Sequence, residues 1–202
     1  MLLGGMPAVY EVEIKFPVAD PAAVEARLIA ASARFRAPVE QADRYFAHPC
    51  RDFARTDEAL RLRRDGDEVL VTWKGPRIDT ATKTRREIEL LLGAAAAGDP
   101  RPAADVTLAR WTELLEALGF RSVLTVRKRR RPARVPWQGA EVDVALDTVA
   151  GLGDYLELEL LARPGEVPQA RAILESLASE LGCIGPERRS YLELLLAANV
   201  PR

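Results

Sequence analysis

Two cysteines and one histidine are all that the 202-residue chain holds of the soft, metal-seeking side chains. Cys50 and Cys183 stand far apart with no CxxC spacing. That removes a disulfide framework and a thiolate metal site, and it fits a reducing cytoplasm. His48, followed by Pro49 in a turn-like stretch, cannot by itself make a histidine triad or a histidine-rich zinc centre. No stretch reaches the roughly 18 apolar residues of a spanning helix, and the opening Met1 to Met6 lacks a basic n-region and an apolar core. The expectation is a cytoplasmic protein with no membrane part. A surplus of either charge is missing too: 29 Lys and Arg face 30 Asp and Glu, for a net charge of −1. A general polyanion binder carries a basic excess, so nucleic acid is disfavoured as a partner. Chemistry must therefore come from carboxylates, Lys, Arg, Tyr or a metal held by oxygen.

What the chain has is length and alternation. With 48% hydrophobic and 29% charged residues, it can enclose a core without staples, as one domain over 1–202. The stretch Tyr10 to Phe16 places Glu11, Glu13 and Lys15 on one face of a predicted strand and Val12, Ile14 and Phe16 on the other. The same spacing recurs at Arg61 and Arg63, at Arg85, Glu87 and Glu89, at Lys128 and Arg130, and at Glu157 and Glu159. One such strand is an ordinary wet face; five call for a common explanation.

Asp20 before Pro21 marks a helix start, with a helix to about Arg34. Strands are expected near Glu40 to Ala47, Ala59 to Arg64 and Glu68 to Lys74, with a tight turn at Asp65-Gly66. Pro76 to Lys83 reads as a turn, and Thr84 to Leu92 as a strand closing an N-terminal half of about residues 7–92. Residues 93–104, rich in Ala, Gly and Pro, read as a connecting loop before a C-terminal half of about 105–198. That half is expected to hold a helix from Asp105 to Leu118, strands near Ser122 to Arg131, Glu141 to Leu146 and Asp154 to Leu161, and helices over Val167 to Leu181 and Glu187 to Ala198. So many antiparallel hairpins suggest an α+β fold whose sheet closes into a barrel. The helices would lie outside, packed on Val12, Ile14, Leu60, Leu62, Leu158 and Leu160, with the charged residues lining the interior. Arg127, Arg129 and Arg131 fall on the opposite face, while Trp73, Trp111 and Trp137 read as packing residues.

In order along the chain come Glu11-x-Glu13-x-Lys15, Asp43-Arg-Tyr-Phe46, Leu60-Arg-Leu-Arg63, Thr72-Trp-Lys-Gly-Pro76, Arg85-x-Glu87-x-Glu89, Lys128-x-Arg130, Leu146 to Gly153 and Glu157-x-Glu159. This set resembles the CYTH superfamily, the group named for CyaB-type class IV adenylyl cyclases and thiamine triphosphatases. The resemblance runs to Ser190-Tyr191. It implies an antiparallel barrel of about eight strands forming a tunnel that binds a triphosphate and divalent cations, Mg²⁺ or Mn²⁺, and it implies metal-dependent cleavage of a triphosphate or pyrophosphate bond. Under it, Lys15, Arg61, Arg63, Lys74, Arg85, Lys128, Arg130 and Arg189 are candidates to hold phosphate, because Arg pairs with phosphate oxygens bidentately and Lys serves as a compact charge. Glu11, Glu13, Asp147, Glu157 and Glu159 are the candidate metal ligands, since hard cations prefer oxygen. Glu11, Glu13, Lys15, Glu87 and Glu89 are the candidate catalytic residues. The first motif is closer to the cyclase and thiamine triphosphatase branch than to the bacterial inorganic triphosphatases, which carry Glu-Arg-Lys-Phe. The expected activity is conversion of ATP to cyclic AMP and pyrophosphate; a triphosphatase, or a noncatalytic nucleotide or polyphosphate binding module, are the alternatives. Homodimers are common in the resembled family.

Overall fold

The computed structural model describes residues 9–78, 84–93 and 100–198. Its strands are β1 (Tyr10–Val18), β2 (Arg34–Phe35), β3 (Val39–Ala47), β4 (Ala59–Asp65), β5 (Glu68–Arg77), β6 (Arg85–Gly93), β7 (Arg121–Trp137), β8 (Ala140–Val149) and β9 (Gly153–Ala162). Its helices are α1 (Pro21–Ala30), α2 (Phe53–Thr56), α3 (Pro100–Ala117), α4 (Val167–Glu180) and α5 (Tyr191–Ala198). The strands follow the order β2-β7-β3-β4-β5-β6-β1-β9-β8, and a further pairing of β7 with β8 closes all but β2 into an eight-stranded antiparallel barrel. The expected closed barrel with helices outside is the observed fold. None of the described helices is long and apolar enough to cross a membrane.

Alternation sorts the side chains as the strand pattern requires. Val12, Ile14, Phe16, Val142, Val144, Leu156 and Leu158 point outward and are buried against Ala170, Ile173, Leu174 and Leu177 of α4. A second cluster, Phe46, Leu62 and Leu115, forms beneath α3 with Trp111 packed on it. A third joins Tyr45, Val126, Val149 and Tyr155 to Tyr191 and Leu194 of α5, which covers one end of the barrel. The N-cap of α1 is Asp20, whose carboxylate accepts from the Ala23 amide at 3.0 Å. The β4–β5 hairpin turns at Gly66, and β7–β8 turns through Gln138 and Gly139, both at positive φ, as the tight primed turns demand.

Several boundaries differ from the sequence expectation, each for a physical reason. The loop expected over 93–104 is shorter: Gly93 ends β6 and α3 begins at Pro100. Prolines 100 and 102 fall in the helix's first turn, where the missing amide has no intrahelical acceptor to lose. Residues 94–99, and 79–83 of the turn expected before β6, lie outside the described residues, as does Met1 to Met6. Strand β5 continues through Pro76 to Arg77, absorbing the proline in a register shift against β6. Strand β7 runs on past Arg131, through Pro132 and Pro136, to Trp137. The Pro132 carbonyl accepts from Arg36, so the ring faces the side guarded only by two-residue β2, where a lost amide costs least. Helix α5 begins at Tyr191 rather than Glu187, since Glu187 donates its amide to the Lys15 carbonyl at 2.7 Å. Arg127 and Arg129 are exposed on the outer face, and Arg131 pairs with Glu25 of α1 and lies 4.4 Å from the Phe35 ring centroid.

Leu158 is fully buried between barrel and α4. Its replacement by Ala is expected to cost about 2–5 kcal/mol in urea unfolding followed by circular dichroism. A loss below about 1 kcal/mol would mean the α4 interface closes over the cavity.

Candidate active site

The inward faces of the strands carry the charges. A cavity of about 940 Å³ occupies the barrel from the α2 and α5 end, and a second of about 580 Å³ enters from the opposite end. Both are lined by Arg63, Arg130, Glu157 and Glu159, so they meet in the middle of the lumen. Around the barrel the two signs occupy different arcs. Cations project from β4 (Arg61, Arg63), β5 (Lys74) and β7 (Lys128, Arg130), and carboxylates from β6 (Glu87, Glu89), β1 (Glu11, Glu13) and β9 (Glu157, Glu159). Lys15 and Arg85 are the cations set among the acidic strands.

Two buried aspartates hold the basic arc in place. Asp43 of β3, cross-strand to Arg63, accepts from Arg63 Nε at 2.6 Å and from a terminal nitrogen at 2.7 Å, and from Arg61 at 3.3 Å. Burial works against its charge, but the guanidiniums of Arg63 and Arg61 outweigh that and hold its carboxyl far below the usual range. Asp147 of β8 does the same for β7. It accepts from Arg130 at 2.8 and 2.6 Å, from Lys128 at 3.2 Å and from the Tyr191 hydroxyl at 3.1 Å. Four donors converge on its two oxygens, and its side chain is buried behind the cavity lining, where it anchors the cations of β7. Burial and the neighbouring Arg130 push the Lys128 ammonium down to about 8 despite Asp147.

The acidic arc is crowded. Glu13 faces Glu159, and Lys15 faces Glu157, across the β1–β9 ladder. Burial, then the charges of Glu11 and Glu13, push the Glu159 carboxyl up to about 9. Burial likewise raises Glu87 to about 7, even though Lys74 contacts it. Glu11 moves the other way: Lys74, 3.2 Å away, and a hydrogen bond from Glu87 overcome burial and hold it low. Glu11 is therefore the carboxyl held in its charged form beside Lys74, and Glu87 the one pushed toward its neutral form. Glu89 accepts from Thr72 at 2.7 Å, which in turn accepts from Arg61 at 3.3 Å. Lys15, 1% exposed, donates to the Arg189 carbonyl at 2.6 Å, and its ammonium stands 3.9 Å from the Tyr191 ring centroid.

The lumen thus gathers nearly every residue the sequence singled out. Arg189 is the exception besides Asp147: its guanidinium folds back onto Glu187 at 2.6 Å on the surface, and only its main chain reaches Lys15. Asp43, Thr72 and Tyr191 stood within quoted motifs but were assigned no role in the site. Asp43 could have been found, because Gln41, Asp43 and Tyr45 alternate inward on β3 like the charged pairs elsewhere. At the larger mouth, Arg77 is a clasp: it binds Asp57 at the C-cap of α2 at 2.7 Å, Glu193 of α5 at 3.3 Å and the Arg188 carbonyl at 3.1 Å.

A closed antiparallel barrel whose lumen is lined by opposed arcs of cations and carboxylates defines a class, and the chain belongs to it: residues 9–191 match the CYTH domain, and this is a CYTH-family protein. Among its relatives is the Methanocaldococcus jannaschii protein named "Putative adenylate cyclase MJ0240", 32% identical over 91% of this chain and 97% of that one. The solved PH1819 protein from Pyrococcus horikoshii is 40% identical, with a TM-score of 0.77 over 94% of this chain and 99% of that one. A Hippeastrum protein described as an adenylyl cyclase candidate with a dominant triphosphatase activity shares the fold, at 20% identity and a TM-score of 0.60 over 96% and 97% of the two chains.

The raised carboxyls give a pH signature. Glu159 and Glu87 hold protons in the folded protein that they release when unfolded, so their contribution to stability is full below about pH 4.5 and is lost as pH rises through about 7 and then 9. The metal-free protein should melt several degrees lower at pH 7.5 than at pH 5.5, and Glu159→Gln should flatten that slope in a thermal-shift series. An unchanged slope in the variant would remove Glu159 as its source.

Proposed function

We propose that the chain is a divalent-metal-dependent enzyme acting on a triphosphate held in the lumen, and that its reaction is that of a class IV adenylyl cyclase. The observation that carries this reading is the segregation of charge: five buried or half-buried cations from β4, β5 and β7 form one wall of a cavity whose other wall, from β6, β1 and β9, is mainly carboxylate. A ligand with about four negative charges and a length of three phosphates suits the first wall, and a cation shared with that ligand suits the second. The name carried by the Methanocaldococcus relative supports the cyclase form.

The metal fit can be judged from the donors. Among the described residues no three acidic side chains make a ready metal cage. Mg²⁺ and Mn²⁺, however, take one or two carboxylates and complete their shells with phosphate oxygens and water. Glu11, Glu13, Glu157 and Glu159 are hard oxygen donors, and the repulsion that raises Glu159 is what a divalent cation would relieve. One or two of these four would hold it, and when bound it would supply positive charge opposite the developing charge on phosphate.

The remaining work falls to the side chains. Arg61, Arg63, Lys128 and Arg130, kept rigid by Asp43 and Asp147, would grip the β- and γ-phosphates and align the α-phosphorus. Attack by the ribose 3′ oxygen forms the new P–O bond as the α–β bridge breaks, and its electron pair leaves on pyrophosphate. Glu87, raised to about 7 and lining the cavity, would accept the 3′-hydroxyl proton, and Lys15 and Lys74 would offset the charge on the leaving phosphates. A triphosphatase, with water as the nucleophile at the terminal phosphorus, uses the same grip, and the activity described for the Hippeastrum protein keeps it as the second reading.

Product analysis with ATP, thiamine triphosphate and tripolyphosphate, each with Mg²⁺, Mn²⁺ or chelator, separates the cases. Cyclic AMP plus pyrophosphate is the expected result; orthophosphate would make the protein a triphosphatase, and binding without turnover a sensor. Glu11→Gln and Lys15→Ala should each lower turnover by about 100-fold, the scale of one lost electrostatic contact to the transition state. Full activity in both folded variants would move the chemistry elsewhere.

A further inference from the structure

The segment that leads into α5 grips the lumen wall at a single residue of β1. The Lys15 carbonyl accepts from the Glu187 amide at 2.7 Å, the Lys15 ammonium donates to the Arg189 carbonyl at 2.6 Å, and the same ammonium stands 3.9 Å from the centroid of the Tyr191 ring. That ring also lies 5.1 Å from the Lys128 ammonium of β7, and its hydroxyl donates to Asp147 of β8 at 3.1 Å. One side chain from a helix outside the barrel therefore meets functional groups of three strands.

Local sequence fixes that side chain. The Ser190 hydroxyl accepts from the Glu193 amide at 3.1 Å while the Ser190 amide donates to the Glu193 carboxylate, the reciprocal pattern of a capping box. Tyr191 is thereby the first residue of α5, and Arg77 holds Glu193 from β5. The ring packs edge-to-face on Tyr155 of β9, with 5.1 Å between centroids, and is 6% exposed, so it has little room to turn. A lysine, by contrast, is a point charge on a flexible stem and must be held to be aimed. Asp43 and Asp147 aim the guanidiniums by opposite charge, which cancels part of what they aim. A ring face and a carbonyl attract an ammonium without a full counter-charge. Support of that kind leaves positive charge for an anion in the cavity.

We propose that Tyr191 is a positioning residue whose ring aims Lys15, and to a lesser degree Lys128, at the phosphate chain; this rests on the lumen being a triphosphate site. Lys15, Lys128 and Tyr191 all line the larger cavity, and the two ammoniums are buried, at 1% and 4% exposure. The shorter of the two ring distances belongs to Lys15, so that lysine depends on the ring most. The hydroxyl plays the smaller part, because Asp147 also accepts from Lys128 and Arg130. Helix α5 thus acts on the grip through a neutral ring, and a chain lacking it would keep these lysines but not their aim.

The test is a double-mutant cycle read by calorimetric binding of imidotriphosphate, whose bridges resist hydrolysis, in Mg²⁺, with circular dichroism to establish that each variant is folded. Tyr191→Leu should weaken binding about tenfold, the scale of one desolvated cation–π contact, while Tyr191→Phe, which keeps the ring, stays within about threefold. Tyr191→Met fills the same space without a ring and replaces the leucine variant if that one does not fold. In a Lys15→Met background the leucine substitution should cost no more than about threefold. In an Arg61→Met background, where the altered cation sits on β4 beside Asp43 and Thr72, it should again cost about tenfold. Equal losses in the two backgrounds, or a phenylalanine variant as weak as the leucine one, overturn the positioning role and leave the lumen assignment intact. Failure of the unaltered protein to bind imidotriphosphate would bring down the lumen reading itself.

Discussion

Everything in this molecule depends on keeping ionised side chains inside a barrel without losing the barrel. A buried charge is costly unless it is paired and hydrogen-bonded, and here a lumen is lined with both signs. The solution is uneven. On the basic side Asp43 and Asp147 each bridge cations that they also orient, while Lys74 and Arg130 reach across to Glu11, Glu87 and Glu157 of the other arc. On the acidic side burial and neighbouring carboxylates push Glu87 and Glu159 up, so that these two retain protons that ordinary carboxylates would have given up. The cations are thus pre-organised, whereas the carboxylates are left with repulsion that an incoming positive charge can discharge. The asymmetry is what makes the interior a receptor rather than a static salt-bridge network.

Helix packing serves the same end from outside. The apolar side of each charged strand, Val12 and Ile14 behind Glu11 and Glu13, or Leu62 between Arg61 and Arg63, is sealed by α4 or α3. Side chains in such a core cannot move far, so the charges opposite them are held in register. Helix α5 acts differently: its Tyr191 enters the end of the lumen, meeting Lys15 with its ring and Asp147 with its hydroxyl, and Arg77 ties the helix to α2 and β5.

The barrel and the inward set of charges were legible because strand alternation is local and strong: Glu11-x-Glu13-x-Lys15 and Lys128-x-Arg130 show their common face without any neighbour. What each charge meets across the barrel is not local. Asp147 stood among the candidate metal ligands, and only the β7–β8 register, which sets it opposite Arg130, shows which cations it meets. Arg189 follows a loop whose course is decided by the Lys15 carbonyl and ammonium, which no spacing near Arg189 encodes. The length of β7 was hidden by Pro132 and Pro136, which read as breakers until their missing amides are seen to face an almost unoccupied edge. The irregularity in the β3–β7 ladder, which pairs Leu124 with Tyr45 but Ser122 with Phe46, left no mark in the sequence at all, because it arises from a mismatch between two strands rather than from a residue preference.

One ladder joins β1 to β9, with Lys15 opposite Glu157, so the first strand of the barrel is completed by the last. Contacts so distant along the chain are slow to form, since the whole intervening segment must be ordered before they are rewarded. During synthesis β1 leaves the ribosome long before its partner exists, and its apolar edge must wait while β3 to β5 zip up as local hairpins. If β1 docks on β9 last, Glu11, Glu13 and Lys15 would stay in water until that step, and the carboxylate crowding of the acidic arc would be imposed only on a barrel already formed.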